Sequence, residues 1–391
     1  MRLLRTLPTR RLVALVAVIV VVAASGTAIA VAAGGGGGPT PPPKALPQAI
    51  HDALAAPRPQ GITARIKFTN HLFPSGSLLG NVGSALMSGA SGRLWLTNDG
   101  RGRLELQSDA GDVQIVWNAR NVTIFDASSN TVYRGELPQR KQKTGARDTT
   151  PSLTQIGDFL TRLRRHADVS GAQPTDVAGQ AAYRVVVSPK HDGGLLGSAE
   201  LAWDAVHGVP LRAAIFAQGS SSPVLELTAT QISYGPVPAS DVDVSPPAGA
   251  KSVDLGAVGR TRGDHGRSTS VTGLSNVQTA VDFPVVAPDS LVGLPRKDVR
   301  LVGRSHSKAV LVTYGQGLGA IVVVERKTPT DNRRSGGLLS SLPKVSLDGL
   351  TAHELATQLG TVIGWQRGGV TYVLAGSLPA AAAETAARNL K

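Results

Sequence analysis

The chain contains no cysteine. That excludes disulfides, thiolate metal ligands, a cysteine nucleophile and a lipid-modified cysteine. Aromatic residues make up only 4%. Basic clusters interleaved with aromatics, the usual equipment of nucleic-acid readers, are missing, so nucleic acid is not expected as a partner. Enzyme motifs are missing as well. There is no G-x-S-x-G, and His353-Glu354 lacks the second histidine of a zinc-protease helix. The eight histidines (His51, His71, His166, His191, His207, His265, His306 and His353) show no pairing at metal-ligand spacing. Gly315, Gly317 and Gly319 precede an apolar run of strand character, which argues against dinucleotide binding. Asp109 and Asp112 flank a turn, where Asp is favoured for turn chemistry rather than acid–base work. The expectation is a chain with no enzymatic activity, no catalytic residue, no metal and no cofactor.

What is present points elsewhere. The chain has 391 residues, 41% apolar and 17% charged, enough for two folded domains and a tether. Its formal net charge is +13, and four of those charges, Arg2, Arg5, Arg10 and Arg11, precede the first acidic residue, Asp52. The remaining excess reads as a basic surface facing an anionic membrane or wall. Leu12 to Ala33 is uncharged over its whole length. As a helix it would span roughly 33 Å, enough for a bilayer core, with the arginines held on the cytoplasmic side. Residues 1–33 therefore read as a signal anchor, a single-pass membrane segment with the bulk of the chain extracytoplasmic. The competing reading is a cleaved signal peptide and a secreted chain, because Ala28-Ile29-Ala30 resembles a small-x-small site. Gly34 to Gly38, then Pro39 and Pro41 to Pro43, make residues 34–44 a Gly/Pro tether.

Residues 45–250 read as one folded unit. A helix is expected over Leu46 to Leu54, with Ile50, Ala53 and Leu54 on one side. From Ile62 the period becomes two: Ile62, Ala64, Ile66 and Phe68 alternate with Thr63, Arg65, Lys67 and Thr69. Further strands follow at Leu94–Leu96, Leu104–Leu106, Val113–Trp117, Val122–Asp126 and Thr131–Gly135, joined by turns such as Asn98-Asp99-Gly100. Leu153, Ile156, Leu160 and Leu163 have helical spacing, with Ser152 as the expected cap. Strands resume at Tyr183–Val187, Ala199–Trp203, Leu211–Gln218 and Val224–Tyr234. About ten strands in one path must curl to protect their edges. Leu72 to Ser91, with Leu78, Leu79, Leu86 and Met87, reads either as a packed loop or as an apolar flap.

Residues 251–275 are polar and rich in Gly and Arg, which suggests a linker. Residues 276–391 read as a small α+β domain of about five strands. Hairpins are expected around Gly315-Gln316-Gly317 and Arg367-Gly368-Gly369. A closing helix would be capped by Ser377, with Pro379 in its first turn.

Gly92-Arg93-Leu94-Trp95-Leu96, Val116-Trp117-Asn118-Ala119-Arg120, Thr131-Val132-Tyr133-Arg134 and Pro246-Pro247-Ala248-Gly249-Ala250 together resemble the LolA-like lipoprotein-carrier fold. Leu311-Val312-Thr313-Tyr314, Gly317-Leu318, Trp365 and Tyr372-Val373-Leu374-Ala375-Gly376 are similar to the C-terminal domain of RseB-type periplasmic regulators. The resemblance implies a curled antiparallel half-barrel sheet plugged by helices, followed by a small α+β domain. It implies an apolar cavity that holds a lipid, an acyl chain or a lipoprotein, in a carrier or sensor. It also implies the alternative of a regulatory module contacting an anti-sigma factor or other membrane protein. The partners implied are thus a lipid or lipoprotein ligand, the cytoplasmic membrane through residues 12–33, and a membrane regulatory protein. A membrane anchor is a departure from the soluble regulators. The cavity candidates are Ile66, Phe68, Leu94, Leu96, Ile115, Trp117, Leu160 and Leu163.

Overall fold

In the computed structural model the described residues are 38–72, 89–109, 111–137, 150–190, 194–257, 271–303, 308–328 and 342–390. The expected anchor over 12–33 and the flap residues Leu78, Leu79, Leu86 and Met87 lie outside them. Among the described residues, no helix is long and apolar enough to cross a membrane.

The first part of the chain builds one large sheet. Its strands are β1 (Gly61–Asn70), β2 (Ala90–Thr97), β3 (Gly102–Gln107), β4 (Val113–Trp117), β5 (Asn121–Asp126), β6 (Thr131–Glu136), β7 (Ala167–Val169), β8 (Gln173–Val177), β9 (Gln180–Pro189), β10 (Leu196–Asp204), β11 (Pro210–Ala217), β12 (Pro223–Tyr234) and β13 (Lys251–Ala257). The order is β13-β6-β5-β4-β3-β2-β1-β12-β11-β10-β9-β7, with β8 also on β9. It is one long sheet of mostly antiparallel pairs, as the alternating patterns imply. The turns are built as their residues demand. Gly100 takes a φ of +85° after Asp99. The Asp99 carboxylate accepts hydrogen bonds from the Thr97 hydroxyl and from the Arg101 N–H.

Two helices lie against this sheet, α1 (Leu46–Ala55) and α2 (Leu153–Leu163). α2 starts with a capping box. The Gln155 N–H donates to the Ser152 hydroxyl at 3.3 Å, and the Ser152 N–H donates to the Gln155 side-chain carbonyl at 2.8 Å. Ile156 and Leu160 of α2 meet Leu46 and Ala49 of α1 over Tyr183, Val185 and Trp203 of β9 and β10. The buried side of α1 is therefore Leu46 and Ala49. Ile50 and Ala53 lie half-buried against the same cluster, whereas Leu54 is exposed.

β13 corrects the expected linker. Its residues pair in parallel with β6, Lys251 opposite Thr131 through Asp254 opposite Arg134. The gain is a covered edge on β6, which polar composition alone conceals. A short helix, α3 (Ala239–Val242), precedes it.

The second sheet holds β14 (Ser290–Leu291), β15 (Leu294–Val302), β16 (Ala309–Tyr314), β17 (Ile321–Lys327), β18 (Lys344–Leu347), β19 (Leu350–Thr357), β20 (Gly360–Arg367) and β21 (Val370–Gly376). Its order is β14-β15-β16-β17-β21-β20-β19-β18. α4 (Leu274–Ala280) and α5 (Ala380–Asn389) supply Val277, Ala383, Ala386 and Ala387 to its core. Ser377 does not cap α5. Its hydroxyl instead donates to the Leu359 carbonyl at 2.8 Å and accepts from the Leu195 N–H at 3.0 Å, tying the β9–β10 loop to the second sheet.

Candidate functional site

The inner face of β1 to β5 is an apolar surface built by register. Ala64 pairs with Leu94, Leu94 with Leu104, Leu104 with Ile115 and Ile115 with Ile124. Alternate residues share a face, so these five side chains form one row across five strands. A parallel row runs Ile62, Leu96, Gly102, Trp117, and another Ile66, Gly92, Leu106, Val113. Two positions in those rows are glycines, and neighbours use the space. The indole of Trp117 occupies the place of a Cβ at Gly102, and the Glu105 carbonyl with the Leu106 side chain crowds Gly92. The result is a continuous apolar layer, with Ile62, Leu96 and Leu106 at 3% exposure or less.

The opposite face of the sheet is polar. Arg212 of β11 bridges Glu200 of β10 and Glu226 of β12, the second at 2.6 Å. Arg103 pairs with Glu105 and covers the Trp95 ring at 5.1 Å from its centroid. The period-two alternation of the strands thus separates an ion-paired outside from an apolar inside.

The predicted cavity residues fall into two groups. Ile66, Leu94, Leu96, Ile115 and Trp117 share the cluster on β1 to β4. Phe68 follows Ile66 on the same strand, half-buried, opposite Ala90 and Leu227. Leu160 is buried in the separate cluster under α1 and α2, and Leu163 is half-buried one turn later. The helices therefore rest on β9 and β10, not directly on the row that carries Trp117. One depression of about 270 Å³ opens beside the indole, lined by Val116, Trp117, Asn121, Thr123 and Val242. Another, of about 440 Å³, lies at the end of α2 between Arg164, Ser170, Ser188 and Lys190.

Three buried polar groups escaped the sequence reading. Asp204, 2% exposed, ends β10 ahead of the β10–β11 turn. Its carboxylate accepts from the Val206 and His207 N–H groups at 2.7 and 2.8 Å and from the Tyr234 hydroxyl. Burial first, and the Asp204 carboxylate second, push the Tyr234 hydroxyl well above its ordinary range. In the second sheet, Glu325 is fully buried on the face that carries Ile321 and Val323. One carboxylate oxygen accepts from the Val286 N–H at 3.0 Å, and the other has no hydrogen-bond partner among the described residues. Burial pushes its carboxyl up to about 7. Glu354 on β19 is raised by burial and by Glu384 of α5. The signal for Glu325 was in the sequence: a charge at the third inward position of an apolar alternation. Among the described residues, no three His, Asp or Glu gather in metal-holding range.

No protein-family model matches the chain, and no curated protein matches it. Solved structures do. The chain is similar to MucB in complex with MucA(peri), at 14% identity, over 87% of this chain and 95% of that one, with a TM-score of 0.41. It is similar to MucB in the Pseudomonas aeruginosa MucA/MucB complex, at 16% identity, with the same coverage and TM-score. It is also similar to a putative outer membrane lipoprotein-sorting protein domain from Vibrio parahaemolyticus, at 9% identity, over 50% of this chain and 95% of that one, with a TM-score of 0.23.

Proposed function

We propose that the chain is an extracytoplasmic, membrane-anchored binding protein that takes a lipid, an acyl chain or a lipoprotein onto the apolar face of its first sheet. The observation that supports this reading is the in-register row Ala64, Leu94, Leu104, Ile115, Ile124, flanked by Trp117 over Gly102. Such a layer is wider than one strand pair needs, and it carries no charged side chain. The helices rest on β9 and β10 beside this layer, and α2 is the element proposed to move so that a ligand can reach it. α2 contributes two fully buried apolar side chains, Ile156 and Leu160. Lifting it costs roughly 3–6 kcal/mol at 1.5–3 kcal/mol for each side chain. An acyl chain returns about 0.8 kcal/mol for each methylene it buries. Roughly eight methylenes therefore offset the displacement, well within the length of a membrane acyl chain.

The test is native mass spectrometry with lipid extraction. A bound amphiphile that disappears on Leu94→Asp, in a variant that keeps its far-ultraviolet circular dichroism, supports the reading. A chain that never takes up phospholipid or acylated peptide, but co-purifies with a membrane protein, supports the regulatory alternative instead.

A further inference from the structure

α1 and α2 pack on each other and on β9 and β10, which leaves their outer sides to solvent. Leu153, Ile156, Phe159, Leu160 and Leu163 form one broad stripe at helical spacing. The fold buries its middle, Ile156 and Leu160, and leaves Phe159 55% exposed at one flank. Arg162 follows Phe159 by three residues and so lies beside it on the same side of α2. Arg162, Arg164 and Arg165 are all exposed. Among the described residues no carboxylate forms an ion pair with any of the three, and the single acidic residue of the helix, Asp158, leaves this end net positive. Lys190 lies beside it, its ammonium donating to the Arg164 carbonyl at 2.7 Å and paired with Asp168 at 3.7 Å, so the excess positive charge here is that of the three arginines.

The chain enters the fold beside α1 and β9. The Tyr183 hydroxyl donates to the Pro42 carbonyl at 2.7 Å, and Lys44 pairs with Asp52 of α1 at 2.6 Å. Pro42 stands nine positions after Ala33, the last of the apolar run. That length reaches at most about 32 Å even when fully extended. An anchor over 12–33 therefore confines α1 and α2 to the neighbourhood of the bilayer, where a few cations and one inserted aromatic suffice for docking.

We propose that the Phe159–Arg165 end of α2 rests on the surface of the anionic phospholipid bilayer that carries the anchor. Phe159 enters the interfacial layer, and Arg162, Arg164 and Arg165 meet headgroup phosphates. The arrangement sets the plugging helix against the source of its ligand. The proposal rests on the anchored reading of residues 12–33, and the test separates the two. The full chain is reconstituted into phosphatidylcholine nanodiscs and into nanodiscs of equimolar phosphatidylcholine and phosphatidylglycerol. Amide hydrogen exchange is then followed over residues 153–166, and resistance to alkaline carbonate is measured alongside. At about 1 kcal/mol per basic residue, exchange is expected to slow at least tenfold in the anionic discs. The effect is expected to vanish in the triple variant R162Q/R164Q/R165Q and to weaken in Phe159→Ser. Equal exchange in the two lipids, with the chain still carbonate-resistant, overturns the docking alone. A chain that carbonate strips from both discs overturns the anchor and the docking with it.

Discussion

The indole of Trp117 lies over the backbone of Gly102, its partner across the β3–β4 ladder, so closely that no Cβ fits between them. The pair explains why a glycine sits in an otherwise apolar row and why a half-buried tryptophan is held flat on the sheet. It also gives the account its most local test. Gly102→Ala forces the ring away, and overpacking of this kind costs roughly 1–3 kcal/mol. The measurement is urea unfolding with tryptophan emission recorded in the native state. The expected result is a lower midpoint together with a shifted emission maximum. Lower stability with unchanged emission would mean the strain is taken up elsewhere.

Leu106 tests the layer as packing. It is 2% exposed and lies among the residues of β1 to β4. Leu106→Ala should cost about 2–5 kcal/mol by lost transfer and the cavity left behind. Thermal unfolding with and without added phospholipid checks it. If ligand binds this layer, the variant should recover part of its loss when lipid is present, since a ligand that binds only the folded form raises apparent stability.

Ser152 links local structure to function. Removing its hydroxyl takes away the acceptor for the Gln155 N–H, leaves the Ser152 N–H bond to the Gln155 side chain, and should cost about 1 kcal/mol of helix stability. If α2 must lift for uptake, Ser152→Ala should take up a fluorescent fatty acid faster than the parent chain while global stability falls only slightly. Slower uptake would place the entrance away from α2.

Glu325 carries the pH prediction. Its folded value of about 7 stands above the ordinary 4.5. Between those values the folded chain keeps a proton that the unfolded chain has lost. Stability attributable to this group is therefore complete below about pH 4.5 and declines as pH rises toward about 7, then levels. The groups facing it are Tyr314 and Tyr372, which sit beside its carboxyl, and the Val286 N–H. Glu325→Gln keeps an acceptor for that N–H and removes the titration. It should match the parent near pH 4.5 and exceed it at pH 8 by roughly 3 kcal/mol, because each tenfold gain in proton affinity on folding is worth about 1.4 kcal/mol. Denaturant midpoints at the two pH values decide it, and parallel behaviour of parent and variant would contradict the buried, unpaired state of the carboxyl.

Much of the first sheet was legible because its strands are half-buried and their turns carry Asp, Asn and Gly. Ile62 to Thr69 alternates cleanly, and Ser152 with Gln155 announces α2. β7 and β8 were not legible: they are three and five residues long, and Pro174 interrupts the second. β13 adds in parallel at an edge, a pairing set by tertiary contact rather than by local pattern. The β18–β19 hairpin was overlooked although Asp348-Gly349 stands between Leu347 and Leu350, with both turn residues at positive φ. For the site, period-two reading placed Ile66, Leu94, Leu96, Ile115 and Trp117 on one face. It could not separate them from Leu160 and Leu163, because which sheet residues a helix covers depends on long-range docking.

The central claim is tested most directly by native mass spectrometry of residues 38–391 purified from a bacterial host, in parent and Leu94→Asp forms, with extracted lipids identified alongside. The account predicts a bound amphiphile on the parent chain and a bare mass for the variant, both folded. A bare parent that stays bare when phospholipid or acylated peptide is added would contradict it.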